Sequence, residues 1–162
     1  MDETNDGLAE LMKRGGIYRG IAGATPREVL DAFVKALPSV LPIPANTLLQ
    51  AVLEREELMP TGIGGGIALP HPRNPLVSSE AKQFAALAYL DSPVNWNSLD
   101  GKPVETLLLI VSASAKTHLR VLSEISYFSR EENFRKLLRE RASLEELLLY
   151  ISETEKNWRR KP

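Results

Sequence analysis

The sequence predicts a single α/β domain in which helices cover a central β-sheet. Two apolar runs in the middle of the chain, residues 84–90 and 104–112, are bounded by turn residues and are typical of buried strands. Towards both ends of the chain, apolar residues instead recur at helical spacing. The 162 residues, of which 43% are hydrophobic, are enough to enclose one core. Helices on either side of a strand-rich middle favour layers of helix packed against sheet.

The first half of the chain predicts one short strand followed by two helices. Residues 17–22 have the composition of a strand, and Thr25, Pro26 and Glu28 then mark a helix start. Thr25 is placed to cap this helix, Pro26 suits its first position, and Glu28 completes a capping box. The second helix is expected to run from residue 44 or 45 to about residue 57. The positions expected to face the core are Val29, Leu30, Phe33, Val34, Leu37, Leu48, Leu49, Val52 and Leu53.

The second half predicts a brief strand at residues 66–69, the two central strands and then helices. Asp100 and Gly101 supply a turn ahead of the second central strand. After this strand the apolar spacing changes to the helical period, and Ser143 and Glu146 form a capping box that opens the last helix. The positions expected to face the core are Leu119, Leu122, Ile125, Ser126 and Phe128 or Ser129, followed by Phe134, Leu137, Leu138, Leu147, Leu148 and Ile151.

The charge balance and composition argue against several classes of protein. Lys and Arg number 20 against 21 Asp and Glu, so the net charge of −1 provides no positive excess for nucleic acid or an anionic membrane. No cysteine is present, which excludes disulfides, thiolate zinc sites and cysteine nucleophiles. The apolar runs, such as residues 107–111, are far shorter than a membrane span, and the acidic N-terminus does not have the pattern of a signal peptide. We therefore expect a cytoplasmic protein without membrane insertion or nucleic-acid binding.

The strongest candidate functional residue is His71, in the segment TGIGGGIALPHPRNP at residues 61–75. Pro70 and Pro72 restrict the backbone on both sides of it, so the imidazole is held by a stiff, extended segment. The other histidine, His118, begins a predicted helix, and a helix N-terminus disfavours the imidazolium form. A lone histidine is more often structural than catalytic, and for His118 a helix-end residue without a role stays open.

Four glycines precede His71 and are candidates for holding an anion. Gly62, Gly64, Gly65 and Gly66 lack Cβ atoms, so their amides are free to turn towards a bound phosphate, as in anion-binding nests. The alternative is a flexible turn or bulge that leads into a strand. The segment matches neither the nucleotide-binding P-loop nor the dinucleotide fingerprint, so no bound nucleotide is implied.

Two arginines near His71 complete a set that fits phosphoryl chemistry. Arg55 ends the second predicted helix and Arg73 follows the histidine, and each guanidinium is able to grip phosphate oxygens, although solvated surface charges are the alternative. A neutral imidazole is a competent nucleophile towards a phosphoryl group, and the doubly charged product needs amide and cationic partners. No magnesium-binding carboxylate cluster or catalytic triad marks the segment, which favours transfer between proteins over hydrolysis.

Four motifs together resemble a known family. They are Arg55-Glu56, the segment TGIGxGIALPH at residues 61–71, DGxPV at residues 100–104 and KTHLxxLS at residues 116–123. The chain is similar to the fructose/mannitol-type enzyme IIA domains of the bacterial phosphoenolpyruvate-dependent sugar phosphotransferase system, particularly the free-standing nitrogen-regulatory enzyme IIA proteins. The resemblance spans residues 10–155 and implies a single-domain sandwich with a mixed sheet flanked by helices. It leaves residues 1–9 as a flexible N-terminus and residues 156–162 as a basic C-terminal tail.

The resemblance implies a phosphocarrier whose acceptor is His71. In this family the histidine receives the phosphoryl group through Nε2 from a histidine-containing phosphocarrier protein. His118 matches the second histidine, which positions and stabilises, and Arg55 matches the arginine that stabilises the phosphate. The residues expected around the phosphate are Thr61, Gly62, Gly64, Gly65, Gly66 and Arg73. The acceptor is a regulatory target protein or an enzyme IIB domain, and neither a cofactor nor a metal is implied.

The sequence leaves other functions open beside that of a phosphocarrier. Because one enzyme IIA unit takes up nearly all of the chain, a nitrogen- or potassium-type regulatory role is favoured over fructose- or mannitol-type sugar uptake. A protein-binding module that kept the fold without phosphorylation is a further alternative, whereas two distant histidines make a poor metal site. Gly65 replaces the asparagine usual in the nitrogen-regulatory relatives, and Pro72 replaces a small residue. The loop before Lys116 is also shorter, and these departures bear mainly on partner choice.

Overall fold

The computed structural model describes residues 7–38 and 42–159, without the side chains of Trp158 and Arg159, and contains one mixed β-sheet between layers of helix. No helix in these residues is long and apolar enough to cross a bilayer. The helices are α1 (Leu8–Gly15), α2 (Pro26–Ala36), α3 (Ala45–Leu58), α4 (Ala115–Ser129), α5 (Glu132–Arg139) and α6 (Leu144–Arg159). The strands are β1 (Ile17–Ile21), β2 (Gly62–Gly64), β3 (Ile67–Ala68), β4 (Phe84–Val94) and β5 (Val104–Val111).

The five strands are arranged in the order β1-β4-β5-β3-β2. The central pair β4 and β5 is antiparallel, with Leu87 opposite Leu108. The pairs β1–β4 and β3–β5 are parallel, and β2 and β3 form an antiparallel hairpin at one edge. The predicted α/β sandwich with a mixed sheet is therefore confirmed.

Strand β4 divides its side chains between two hydrophobic cores, one on each face of the sheet. Ala86, Ala88 and Leu90 belong to the core that includes α2 and α3. The intervening Leu87 and Tyr89 belong to the core that includes α1, α4, α5 and α6. A strand that is covered on both faces has no solvent side, which explains why its sequence is a continuous apolar run instead of an alternating one.

The two predicted capping boxes are present. The Thr25 hydroxyl accepts a hydrogen bond from the Glu28 amide at 3.2 Å, and the Glu28 carboxylate accepts one from the Ala24 amide at 2.8 Å. The Ser143 hydroxyl accepts from the Glu146 amide at 3.2 Å, while the Glu146 carboxylate accepts from the Ser143 amide at 3.0 Å. These bonds satisfy amides that have no partner inside the helix, which fixes where each helix begins.

Helices extend further towards both ends than the sequence predicts. Helix α1 begins at Leu8, inside the segment expected to be a flexible N-terminus, and Leu8 is fully buried. The buried residues of α1, which are Leu8, Leu11, Met12 and Gly15, recur at helical spacing, and the prediction missed this eight-residue helix. At the other end, α6 continues to Arg159, into the segment expected to be a tail. Residues 1–6 and 160–162 lie outside the described residues.

The buried face of α4 differs from the predicted stripe. Leu119 is 64% exposed, Leu122 is only partly buried and Ser126 is exposed. The residues that α4 buries are Thr117, Val121, Glu124, Ile125 and Phe128. Helix α4 thus turns a buried glutamate inward and leaves Leu119 at the surface, while Leu122 packs against the core in part.

Candidate active site

The two histidines meet although they lie on different elements. His71 follows strand β3, and His118 lies in the first turn of α4, whose N-cap Ser114 accepts a hydrogen bond from the Thr117 amide at 3.2 Å. The ring centroids are 4.6 Å apart, with the ring planes inclined by 47°. The Pro70 carbonyl accepts a hydrogen bond from the Ile110 amide at 3.1 Å, which fastens the His71 segment to β5.

A backbone contact sets the orientation of the His71 ring. Its Nδ1 lies 2.8 Å from the Leu69 carbonyl oxygen, and His71 is only 9% exposed. A carbonyl oxygen accepts hydrogen bonds and cannot donate them, so Nδ1 carries the proton of the neutral ring. The lone pair is then on Nε2. The ring is therefore oriented with Nε2 as its nucleophilic atom.

Burial and neighbouring charge keep both rings neutral. Burial lowers the pKa of His71 below its ordinary value of 6.5; the hydrogen bond to Leu69 opposes this effect and the Arg55 charge adds to it. Burial also lowers the pKa of His118, to about 4, with further contributions from His71 and Arg55. Both imidazoles are thus neutral at neutral pH, and in His71 the nucleophilic nitrogen is Nε2.

Arg55 lies beside the histidine pair, as its effect on both pKa values indicates. It belongs to the last turn of α3, and its Nη1 donates a hydrogen bond to the Met59 carbonyl at 2.8 Å. This bond fixes the position of the guanidinium, while a guanidinium has other N–H groups with which to bind an anion.

Glu56 holds the surroundings of Arg55 and His71 together. Its carboxylate accepts three hydrogen bonds: from the Thr61 hydroxyl and the Thr61 amide, both at 2.7 Å, and from the Trp96 indole at 3.0 Å. The Thr61 carbonyl accepts in turn from the Leu69 amide at 3.0 Å. In the sequence, Glu56 stood out only as part of the Arg55-Glu56 motif and had no predicted role. Its position directly after a candidate arginine was the signal from which a role in the site could have been inferred.

Arg55, Thr61, Gly62, Leu69 and His71 line one open depression of about 370 Å³, named here the His71 depression. Its remaining lining is mostly apolar and consists of Met59, Pro60, Ile63, Asn97, Leu99 and Leu122. Met59, Ile63 and Leu99 are exposed, with Leu99 97% exposed. An apolar rim that surrounds a polar centre is typical of a surface on which another protein docks.

The glycines expected around the phosphate fall in two places. Gly62 lines the His71 depression, but Gly65 and Gly66 line a separate groove together with Arg135 and Arg139. The Gly65 amide donates a hydrogen bond to Asp100 at 2.9 Å. Gly64, Gly65 and Gly66 all have positive φ values, of 95°, 65° and 82°. These glycines therefore serve the tight turn between β2 and β3, which L side chains fit poorly.

Arg73 likewise lies apart from the His71 depression. It is exposed and lines a smaller cavity beside His118, together with the buried Pro72. Of the residues named from the sequence, Arg55, Thr61, Gly62 and His71 thus share one depression, and the His118 ring lies against that of His71.

A match to a family model identifies the class of protein, a component of a phosphotransferase system. The chain belongs to the family described as phosphoenolpyruvate-dependent sugar phosphotransferase system, EIIA 2, whose model matches residues 10–154.

Relatives in sequence carry the name nitrogen regulatory protein. One from Pseudomonas aeruginosa is 32% identical over 143 residues, covering 86% of this chain and 91% of the relative. One from Escherichia coli is 28% identical over 156 residues, covering 95% of this chain and 94% of the relative.

Solved structures share the fold. The nitrogen regulatory protein IIA-Ntr of Neisseria meningitidis matches with a TM-score of 0.71 at 24% identity, over 83% of this chain and 91% of that chain. The IIA mannitol protein of Escherichia coli matches with a TM-score of 0.63 at 22% identity, over 84% of this chain and 95% of that chain.

Proposed function

We propose that the chain is a phosphocarrier whose acceptor is Nε2 of His71. The observation that supports this most directly is the contact between Nδ1 and the Leu69 carbonyl, which leaves the lone pair on Nε2. In the transfer step, Nε2 attacks the phosphorus of a phosphohistidine on the donor protein. The new N–P bond forms as the donor's N–P bond breaks, and the donor nitrogen recovers the electron pair. No metal or cofactor takes part.

Arg55 and His118 stabilise the charge on the transferred group. The Arg55 guanidinium supplies positive charge beside both rings, and its bond to the Met59 carbonyl reduces the reorganisation needed when the phosphoryl group arrives. A neutral His118 has one N–H to donate to a phosphoryl oxygen. His118 also adjoins His71 closely enough to hold it in place, with ring centroids 4.6 Å apart.

The donor is a histidine-containing phosphocarrier protein, and the acceptor is an enzyme IIB domain or a regulatory target. The exposed apolar rim, with Met59, Ile63 and Leu99, supports docking of a protein around His71. A solved structure that shares the fold at 20% identity is a complex of mannitol enzyme IIA with phosphorylated enzyme IIB, from Escherichia coli.

A regulatory role fits better than sugar uptake. The similarity to the nitrogen regulatory protein of Pseudomonas aeruginosa extends over 91% of that protein's length. A fructose-specific EIIA component of Haloferax volcanii is similar as well, at 34% identity over 100 residues, so sugar uptake stays the alternative. In the regulatory role the phosphorylation state of His71 changes contacts with target proteins, of the nitrogen or potassium-related kind, in the cytoplasm.

The test is phosphorylation of the purified chain. The protein is incubated with phosphoenolpyruvate, enzyme I and the histidine phosphocarrier, and its intact mass is measured for wild type and His71→Ala. An acid-labile gain of one phosphoryl group in the wild type alone supports the proposal. Equal gain in both proteins would place the acceptor elsewhere. No gain with a cognate donor would favour a binding module with the same fold.

A further inference from the structure

A second, smaller cavity of about 80 Å³ lies on the surface beside His118, and of its lining residues the proposed transfer step uses His118 alone. We name it the Ser112 cavity. It is a different cavity from the His71 depression, and it opens where strand β5 leads into helix α4. The residues that carry the argument are Pro72, Arg73, Ser112, Ser114, Ala115 and His118.

The helix end at this cavity is electropositive. Helix α4 has 15 residues, and the amides of its first turn have no carbonyl partner four residues earlier within the helix. Ser114 satisfies one of them by accepting a hydrogen bond from the Thr117 amide. The amides of Ala115 and Lys116 precede it in the same turn. Unsatisfied amides and the helix dipole together favour a bound anion at this end.

Ser112 provides an independent indication of a ligand. It is only 6% exposed and it lines the cavity, yet its hydroxyl has no hydrogen-bond partner within residues 7–38 and 42–159. Buried hydroxyl groups in proteins nearly always have a partner, because an unsatisfied one loses its hydration without compensation. A ligand oxygen that accepts from Ser112 would remove that cost.

The charge of the lining fits an anion. Arg73 is exposed at the cavity, and the nine lining residues include no carboxylate. We propose that the Ser112 cavity binds a small phosphate-like oxyanion, held by Ser112, Arg73 and the first amides of α4. The oxyanion is either inorganic phosphate or the phosphate end of a larger molecule. This proposal does not depend on His71 being the phosphoryl acceptor.

Occupancy of the cavity would affect the neighbouring site through His118. A bound oxyanion favours the imidazolium form of His118, which otherwise stays neutral. It also places negative charge close to any phosphoryl group on His71, whose ring adjoins that of His118. By linkage, phosphate binding and phosphoryl acceptance then change each other's equilibrium by the same factor.

The experiment titrates inorganic phosphate into the unphosphorylated protein and follows the NMR signals of the His118 ring and the Ala115 and Lys116 amides. Chloride at matched ionic strength corrects for general salt effects. Glycerol phosphate forms a second series. Saturable shifts with inorganic phosphate but not with glycerol phosphate identify the free ion as the ligand. Equal affinity for inorganic phosphate and glycerol phosphate identifies the phosphate end of a larger molecule as the ligand. Absence of saturation in both series would overturn the proposal.

Variants establish that binding occurs in this cavity. Ser112→Ala is expected to weaken phosphate binding by about tenfold, the effect of one hydrogen bond to a charged group. Arg73→Ala is also expected to weaken phosphate binding. If Ser112→Ala does not fold, the affinity of the Arg73→Ala variant decides the test. Ser126→Ala, at an exposed position of the same helix, is the matched control. Wild-type affinity in both cavity variants would overturn the proposal, whatever the outcome of phosphorylation at His71.

Discussion

Glu124 of helix α4 and Glu155 of helix α6 interact in the protein interior, where they are 5% and 8% exposed. Glu124 also accepts a hydrogen bond from the Leu8 amide at 3.1 Å, so the pair joins the start of α1 to two other helices. Burial and the neighbouring Glu155 raise the pKa of Glu124 to about 8, against smaller opposing effects of the Leu8 amide and Arg120. Glu124 therefore keeps its proton at neutral pH.

The raised pKa of Glu124 predicts that stability falls as pH rises. Between its ordinary value of 4.5 and about 8, folded Glu124 keeps a proton that the unfolded chain has lost. The free energy of unfolding therefore decreases with pH across this window. His118 acts in the opposite sense between about 4 and 6.5, so the decrease is clearest above 6.5. Urea unfolding at a series of pH values measures it. Glu124→Gln should flatten the slope, and an unchanged slope in that variant would contradict the account.

His118 should stay neutral far below the usual range of a histidine. Its pKa of about 4 arises from burial, His71 and Arg55. An NMR titration of the ring gives this pKa directly, and Arg55→Gln is expected to raise it because a neighbouring positive charge is removed. Because the folded pKa lies below the unfolded one, His118 stabilises the fold above 6.5 and ceases to do so as pH falls to about 4. A wild-type value close to 6.5 would contradict the geometry of the site.

Removing the carboxylate of Glu56 should destabilise the fold more than removing the carboxylate of Glu57. Glu56→Ala leaves the Thr61 amide, the Thr61 hydroxyl and the Trp96 indole without their acceptor, and a loss of about 2 kcal/mol is expected. Among the residues that the structure describes, Glu57 makes only an exposed ion pair with Arg27, so Glu57→Ala should cost less than about 0.5 kcal/mol. Urea unfolding compares the two variants. Equal losses would show that Glu56 does not hold the site together.

A charge on the apolar rim should impair docking without affecting the fold. Leu99 is 97% exposed at the His71 depression, so Leu99→Asp removes apolar contact area from the docking face. The KM for the phosphorylated donor is expected to rise by about tenfold while the melting temperature stays unchanged. Leu149→Asp is the matched control, since Leu149 is also exposed but lies on α6, outside the depression lining. An equal effect of both variants would count against docking at this rim.

Elements with local determinants could be predicted from the sequence. The capping boxes at Thr25 and Ser143 need only neighbouring residues, and the central strands are long apolar runs. Helix α1 was missed because it is short, although Leu8, Leu11 and Met12 recur at helical spacing, and tertiary contacts also stabilise it. Gly15 packs so closely against the Ala85 backbone that a Cβ there would clash. Such a contact depends on residues far apart in the chain.

The candidate residues of the site were chosen in two steps. The local sequence singled out His71, His118 and Arg55, and the family resemblance then assigned a role to each. The bonds of Glu56 to Thr61 and Trp96 were not predictable, since Trp96 is distant in sequence. The glycine pattern predicts a backbone with positive φ but not the direction of each amide. The Gly65 amide accordingly binds Asp100.

The atom that receives the phosphoryl group is the most direct test of the central claim. Nitrogen-15 NMR of the phosphorylated protein, with observation of coupling to phosphorus, identifies both the histidine and its ring nitrogen. Because Nδ1 of His71 is engaged by the Leu69 carbonyl, the account predicts a single N–P bond at Nε2 of His71. An N–P bond at Nδ1 of His71, or on His118, would contradict it.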